Sequence, residues 1–227
     1  EILSGLVGSE MCIRDRAYTT EVVQGKHGVK ITSHASVVAE TVQKILDVTI
    51  TWKIEAAGKI DADIAVTKDD EFPDLPRFGV RMFLDKKLSA VRYFGMGPQE
   101  SYCDKHQAAS HGLYRADVGD LHEDYIRPQE NGSHYDCEYV ELNNSRYGIV
   151  ASAEKAFSFN ASYYTQEELE KKTHNYELIE SDSVVFCVDY ALNGIGSNSC
   201  GPVVLEQYRF DDVLFRFQFT LIPYVKG

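Results

Sequence analysis

From Val48 the chain alternates strictly. Val48, Ile50, Trp52, Ile54 and Ala56 point one way, and Thr49, Thr51, Lys53 and Glu55 point the other. After Ala57-Gly58-Lys59 the rhythm resumes, with Ile60, Ala62, Ile64 and Val66 set against Asp61, Asp63 and Thr67. A period of two turns successive side chains to opposite faces, so this is a β-hairpin with one buried and one wet face. It also places Asp61 and Asp63 together on the solvated face, where they read as surface acids and not as a catalytic pair. The same period returns near the end, where Val213, Phe215, Phe217, Phe219 and Leu221 alternate with Arg216, Gln218 and Thr220.

Further strands are expected at 78–84, 90–94, 135–142, 148–152, 156–164 and 183–192. Thr165-Gln166-Glu167-Glu168 has the form of a capping box, with Thr165 as cap and Glu168 reaching back, and opens a short helix to about Lys172. No βαβ rhythm and no repeat occurs. About ten strands and one short helix predict an all-β, antiparallel β-sandwich. Residues 97–134 differ: they show little periodicity and hold four of the seven histidines, His106, His111, His122 and His134. An irregular stretch of that length inside a packed domain points to function.

At 227 residues with 44% hydrophobic content the chain can bury a sizeable core. A formal charge of −12 argues against nucleic acid and anionic membrane as partners, and no run of about 18 apolar residues exists. Cys12, Cys103, Cys137, Cys187 and Cys200 are odd in number and form no CxxC pair, which predicts a reducing, cytoplasmic setting without disulfide framework or zinc site. The loop histidines lack an HExxH frame. The segment Gly194–Pro202 (GIGSNSCGP) is followed by Val203-Val204-Leu205 and lacks the Lys-Ser/Thr and helix that a phosphate loop requires. Glu100 and Glu130 remain as loop carboxylates. Acid–base work on a glycoside needs two carboxyls at a set separation; otherwise each accepts hydrogen bonds inside its own loop.

Three loops carry a more specific signal. GMGPQESYCDK supplies Gly95, Gly97, Pro98, Glu100, Tyr102 and Asp104 to a GxGPxExYxDR pattern. RPQENGSH supplies Pro128, Glu130, Asn131 and Gly132 to a PxENG pattern and ends on His134. GIGSNSCGP supplies Gly194, Gly196, Ser199 and Cys200. In this order, together with Tyr163–Leu169, they resemble the C-terminal domain of glycoside hydrolase family 2 β-galactosidases over residues 30–224. The resemblance implies a galactose-mutarotase-like supersandwich. It also implies a partner, the catalytic barrel domain or large subunit that holds the nucleophile and acid/base glutamates. Galactosides would be the substrate, Mg and Na ions would be used by the parent enzyme, and this chain itself would carry no cofactor. Gly97, Pro98, Glu100, Tyr102, Asp104, Glu130, Asn131, His134, Ser199 and Cys200 would then shape the substrate mouth or interdomain contact, with no catalytic residue here. Lys105 departs from the pattern's arginine. Cys200 stands where some members place a tryptophan platform. Residues 1–16 are expected to be a leader outside the domain, which would run from 17 to 227 and lack its first strands. Two rival readings follow. One is a stand-alone carbohydrate-binding sandwich stacking sugars on Tyr102, Tyr125 and Tyr135. The other is a mutarotase-type epimerase using His134 with Glu100 or Glu130.

Overall fold

The computed structural model describes residues 14–38, 44–195 and 203–227. Eleven strands form one connected sheet: β1 (Arg14–Gly25), β2 (Gly28–Val38), β3 (Lys44–Glu55), β4 (Ile60–Lys68), β5 (Arg77–Asp85), β6 (Ala90–Gly97), β7 (Ser110–Asp117), β8 (Ser133–Asn143), β9 (Tyr147–Ser162), β10 (Ser183–Leu192) and β11 (Leu214–Val225). The spatial order is β1-β2-β3-β4-β11-β9-β8-β6-β7, and β10 branches from β9 and carries β5 on its outer side. Every ladder is antiparallel. The sheet folds over a single core, and the architecture is the expected all-β sandwich with one short helix, α1 (Gln166–Lys171).

The alternating segments behave as their pattern requires. Val48, Ile50, Ala62, Ile64 and Val66 are buried and face the core with Phe215, Phe217, Phe219 and Leu221. The registers Phe215↔Val66, Phe217↔Ile64 and Phe219↔Ala62 put the aromatic row against the aliphatic one. Burying each such side chain contributes about 1.5–3 kcal/mol. Across the core Phe78 of β5 meets Phe215 edge-on at 4.9 Å, and Tyr190 of β10 stacks on it at 4.8 Å. The turn between β3 and β4 is closed by Gly58 at φ +94, a conformation that favours glycine. On the wet face Asp63 takes two hydrogen bonds from Arg216, and Asp61 accepts from Lys59 and Thr220 at 2.9 and 2.7 Å. Both acids are surface groups, as their spacing indicates.

Three details differ from the sequence reading. The stretches 148–152 and 156–164 are halves of one strand, β9. Its first half pairs with β11 (Ala151↔Leu221) and its second with β10 (Phe159↔Val188), so it passes from one layer to the other. Glu154, Lys155 and Ala156 lie exposed at the bend, which hides the continuity in the sequence. Second, the irregular region contains strand β7, paired with β6, and a 3-10 turn at Val118–Leu121. β7 is an edge strand and none of its residues is fully buried, so its alternation is muted. Third, Thr165 caps α1 by accepting from the Glu168 amide at 3.1 Å, but the Glu168 carboxylate accepts from the Ile179 amide at 2.9 Å and forms an ion pair with Lys172.

Candidate functional site: a loop cluster around a lysine-held and an arginine-held glutamate

The loop after β6 turns sharply. The Gly97–Pro98 peptide is cis, Tyr93 Oη donates to the Pro98 carbonyl at 3.4 Å, and a Cβ at Gly97 would collide with that same hydroxyl. Only glycine fits there. Ser101, fully buried, joins this loop to the next. Its amide donates to the Ser133 carbonyl at 2.7 Å, and its Oγ accepts from the Tyr135 amide at 2.9 Å. Gly132 sits at φ +72, and a Cβ there would strike the Leu121 carbonyl.

Glu100 fills the space between the two loops. Its carboxylate accepts from Lys105 Nζ, from Tyr125 Oη, from the Gly132 amide at 2.8 Å and from Tyr102 Oη at 3.4 Å. Burial alone would raise its pKa. The Lys105 ammonium, the Tyr125 hydroxyl and the Gly132 N–H outweigh that and hold the carboxyl below its ordinary range. Lys105 keeps a single ammonium where the family pattern has an arginine fork, and here that ammonium bridges Glu100 and Tyr125 (2.7 Å). Asn131 is structural: its Oδ1 accepts from the Glu123 amide at 3.1 Å, and its carbonyl accepts from Asn160 at 2.6 Å.

The second centre lies one layer beneath. Arg77 at the start of β5 forms a two-pronged pair with Asp189 of β10, at 2.8 and 2.6 Å, and its third nitrogen reaches Glu130 Oε2 at 3.3 Å. Arg77 and Asp189 are both buried. Burial pushes the Glu130 carboxyl above its ordinary range, against the opposing pull of Arg77. The other oxygen, Oε1, is buried without a partner. About a third of the Glu130 side chain, 31%, still reaches a cleft of about 470 Å³. The cleft lies between Pro76, residues 127–130, Gln166 and Leu169 of α1, and Ile195.

The third loop enters at Ile195, whose amide donates to Asp104 Oδ1 at 3.1 Å, while a Cβ at Gly194 would approach that carboxylate to 2.8 Å. Gly97, Pro98, Glu100, Tyr102, Asp104, Glu130, Asn131 and the start of the 194–202 loop therefore converge. Ser199 and Cys200 lie outside the described residues. His134 is set apart. It is buried between Tyr93 (stacked at 4.5 Å) and Phe159 (5.0 Å), faces neither of the clefts named here, and burial lowers its pKa to about 4. That surrounding leaves it no reach to a substrate proton, as the epimerase reading would need. Tyr102, 2% exposed, packs inside the loops and presents no stacking face, and the Tyr125 hydroxyl is engaged by Glu100. Of the three tyrosines expected to stack on sugars, Tyr135 alone is half-buried and lines a groove.

Among the described residues no three His, Cys, Asp or Glu side chains gather as the ligands of a metal ion would. No helix of the described residues is long and apolar enough to cross a membrane.

Sequence reasoning missed Arg77 and Asp189. A signal did exist: Asp189 interrupts the apolar run Val184–Val188, and a carboxylate inside a buried strand demands a cation.

Residues 9–221 match the family model described as beta galactosidase small chain. The chain is 45% identical over 207 residues to a beta-galactosidase of Actinobacillus pleuropneumoniae, covering 91% of this chain and 20% of that protein. It is 34% identical over 209 residues to one from Staphylococcus xylosus (92% and 21%) and 31% identical over 211 residues to one from Kluyveromyces lactis (87% and 20%). The chain spans about a fifth of the length of these curated relatives. Among solved structures, a GalM/aldose epimerase homologue from C. elegans aligns at 10% identity and TM-score 0.41, covering 91% of this chain and 68% of that one. That likeness is too distant to bear on function.

Proposed function

The chain belongs to the β-galactosidase small-chain family, and from that premise we propose that it is the non-catalytic C-terminal portion, or small subunit, of a cytoplasmic β-galactosidase. Its partner is the catalytic barrel domain or large subunit. Its role is to shape the mouth through which terminal β-galactosides enter and to form the contact with the barrel. The observation that carries this reading is the match over residues 9–221 to one-fifth of each long relative. Three features support it. The motif loops converge, as segments that jointly line one rim must. Their carboxylates are committed: Glu100 has four donors, and Glu130 is held by a buried arginine. In addition, the described thiols Cys103, Cys137 and Cys187 are free, as a reducing compartment leaves them.

In the parent reaction a barrel glutamate forms a galactosyl-enzyme and a second acts as acid, then base. This chain contributes position and enclosure. The test is complementation. The purified chain alone is expected to leave a chromogenic β-galactoside intact, and adding the remaining enzyme portion should restore hydrolysis. Hydrolysis by the chain alone at an enzyme-like rate, or a catalytic portion whose activity is indifferent to the chain, overturns the proposal.

A further inference from the structure

A second groove, of about 500 Å³, is lined in part by Tyr102 and Cys103. This volume is typical of small-ligand sites, about 300–1,000 Å³. Its floor is aromatic: Phe157, Phe210 and Phe217 are buried beneath it, and Tyr190 and Tyr208 show part of their rings.

One wall is built by a distortion of β8. The pairing of β8 with β9 shifts between His134 and Cys137, and Asp136 within the shift adopts φ +56, the left-handed region that non-glycine residues seldom occupy. Such a bulge re-aims side chains, and here both Tyr135 and its neighbour Asp136 line the groove, which a regular strand would forbid. The facing wall is the bend of β9, carrying Glu154.

Several polar groups in this groove are unengaged. The Asp136 and Glu154 carboxylates and the Tyr135 and Tyr208 hydroxyls make no hydrogen bond or ion pair with another described side chain. In the loop cluster, by contrast, Glu100 and Asp189 are tied to partners within the protein. Two of the three lining cations are engaged by acids outside the groove, Arg216 by Asp63 and Arg209 by Asp74, which leaves Lys155 beside the unpartnered Asp136 and Glu154. An anion meets no free arginine here, and a bare cation would leave the aromatic floor uncovered. An extended apolar ligand would strand the carboxylates without donors. A neutral ring rich in hydroxyls meets both demands: its hydroxyls donate to the carboxylates, and its C–H face lies on tyrosine.

We propose that this groove is a saccharide-binding site for a neutral mono- or disaccharide, with Asp136 and Glu154 accepting from sugar hydroxyls and Tyr208 beneath the ring. It goes beyond the proposed function. Binding is read on the purified chain, whereas complementation reads assembly, so either can fail while the other stands.

The experiment is a titration of the chain followed by NMR and calorimetry. The probes are methyl β-D-galactopyranoside and lactose, with N-acetyl-lysine methylamide as a cationic non-sugar. Saturable binding of at least one sugar in the millimolar range is expected. Asp136→Asn, which keeps a residue tolerant of the left-handed backbone, and Tyr208→Ala should each weaken it about fivefold or more, with unchanged thermal melting to show an intact fold. The inference is overturned if neither sugar saturates, if the lysine derivative binds and the sugars do not, or if both variants bind sugar as the parent chain does.

Discussion

Asp63 and Asp189 both sit on strands and both hold an arginine through two hydrogen bonds, yet they stand in opposite solvents. At Asp63 the partner Arg216 keeps 62% of its side chain in water. At Asp189 the partner Arg77 keeps 9%, and the carboxylate 2%. The difference teaches what each pair can be for. The exposed pair is screened by water and salt and contributes little. The buried pair offsets its own desolvation and fixes where the 127–134 loop lies, since Arg77 alone spans from Asp189 to Glu130.

The largest effect should come from cutting that link. Arg77→Met leaves Asp189 and Glu130 buried without their cation, and should lower the free energy of unfolding by about 3–5 kcal/mol in chemical denaturation. A loss below about 1 kcal/mol would break the contrast with Asp63.

Acid should act next, through His134. Burial holds its folded-state pKa at about 4 against an ordinary 6.5. Below pH 6.5 the unfolded chain takes up a proton that the folded chain refuses, so stability falls as pH drops from about 6.5 to about 4. The total is about 3 kcal/mol. His134→Phe, which keeps a ring between Tyr93 and Phe159, should flatten that limb of the stability profile; an unchanged limb would show that another group sets it. Glu100, held below its ordinary range, works in the same direction at lower pH, since its contribution is present above the unfolded value and is lost as pH falls through the folded one.

The smallest effect belongs to Arg216→Met. It should move the denaturation midpoint only slightly, and less still in high salt, where exposed pairs are screened. A salt-independent loss as large as that of Arg77→Met would mean that the two pairs do not differ as their burial indicates.

What the chain's letters reveal follows the same division between wet and dry. β3, β4 and β11 are legible because one face is buried and the other solvated, so polarity alternates with the pleat. β10 is legible as an apolar run. β7 is not, because its inward residues are only half-buried, and β9 is not, because it turns polar where it bends. β1 is an edge strand whose residues 19–25 are exposed, and β2 beside it mixes Thr, Ser and His with its apolar residues, so neither shows a clean alternation. In the loops, Glu100 and Glu130 stand out by their motifs. Arg77 and Asp189, separated by 112 positions, are joined only by the fold.

β9 belongs to both layers of the sandwich at once: β8 pairs with it on either side of the bend, β11 holds its first half and β10 its second. A layer therefore cannot fray and leave the other standing, because unzipping either one strips amides from the shared strand. Slow hydrogen exchange should be shared by the two paired halves, 147–152 and 157–162, with a single opening free energy, making this strand the keel of the molecule rather than one plank among eleven.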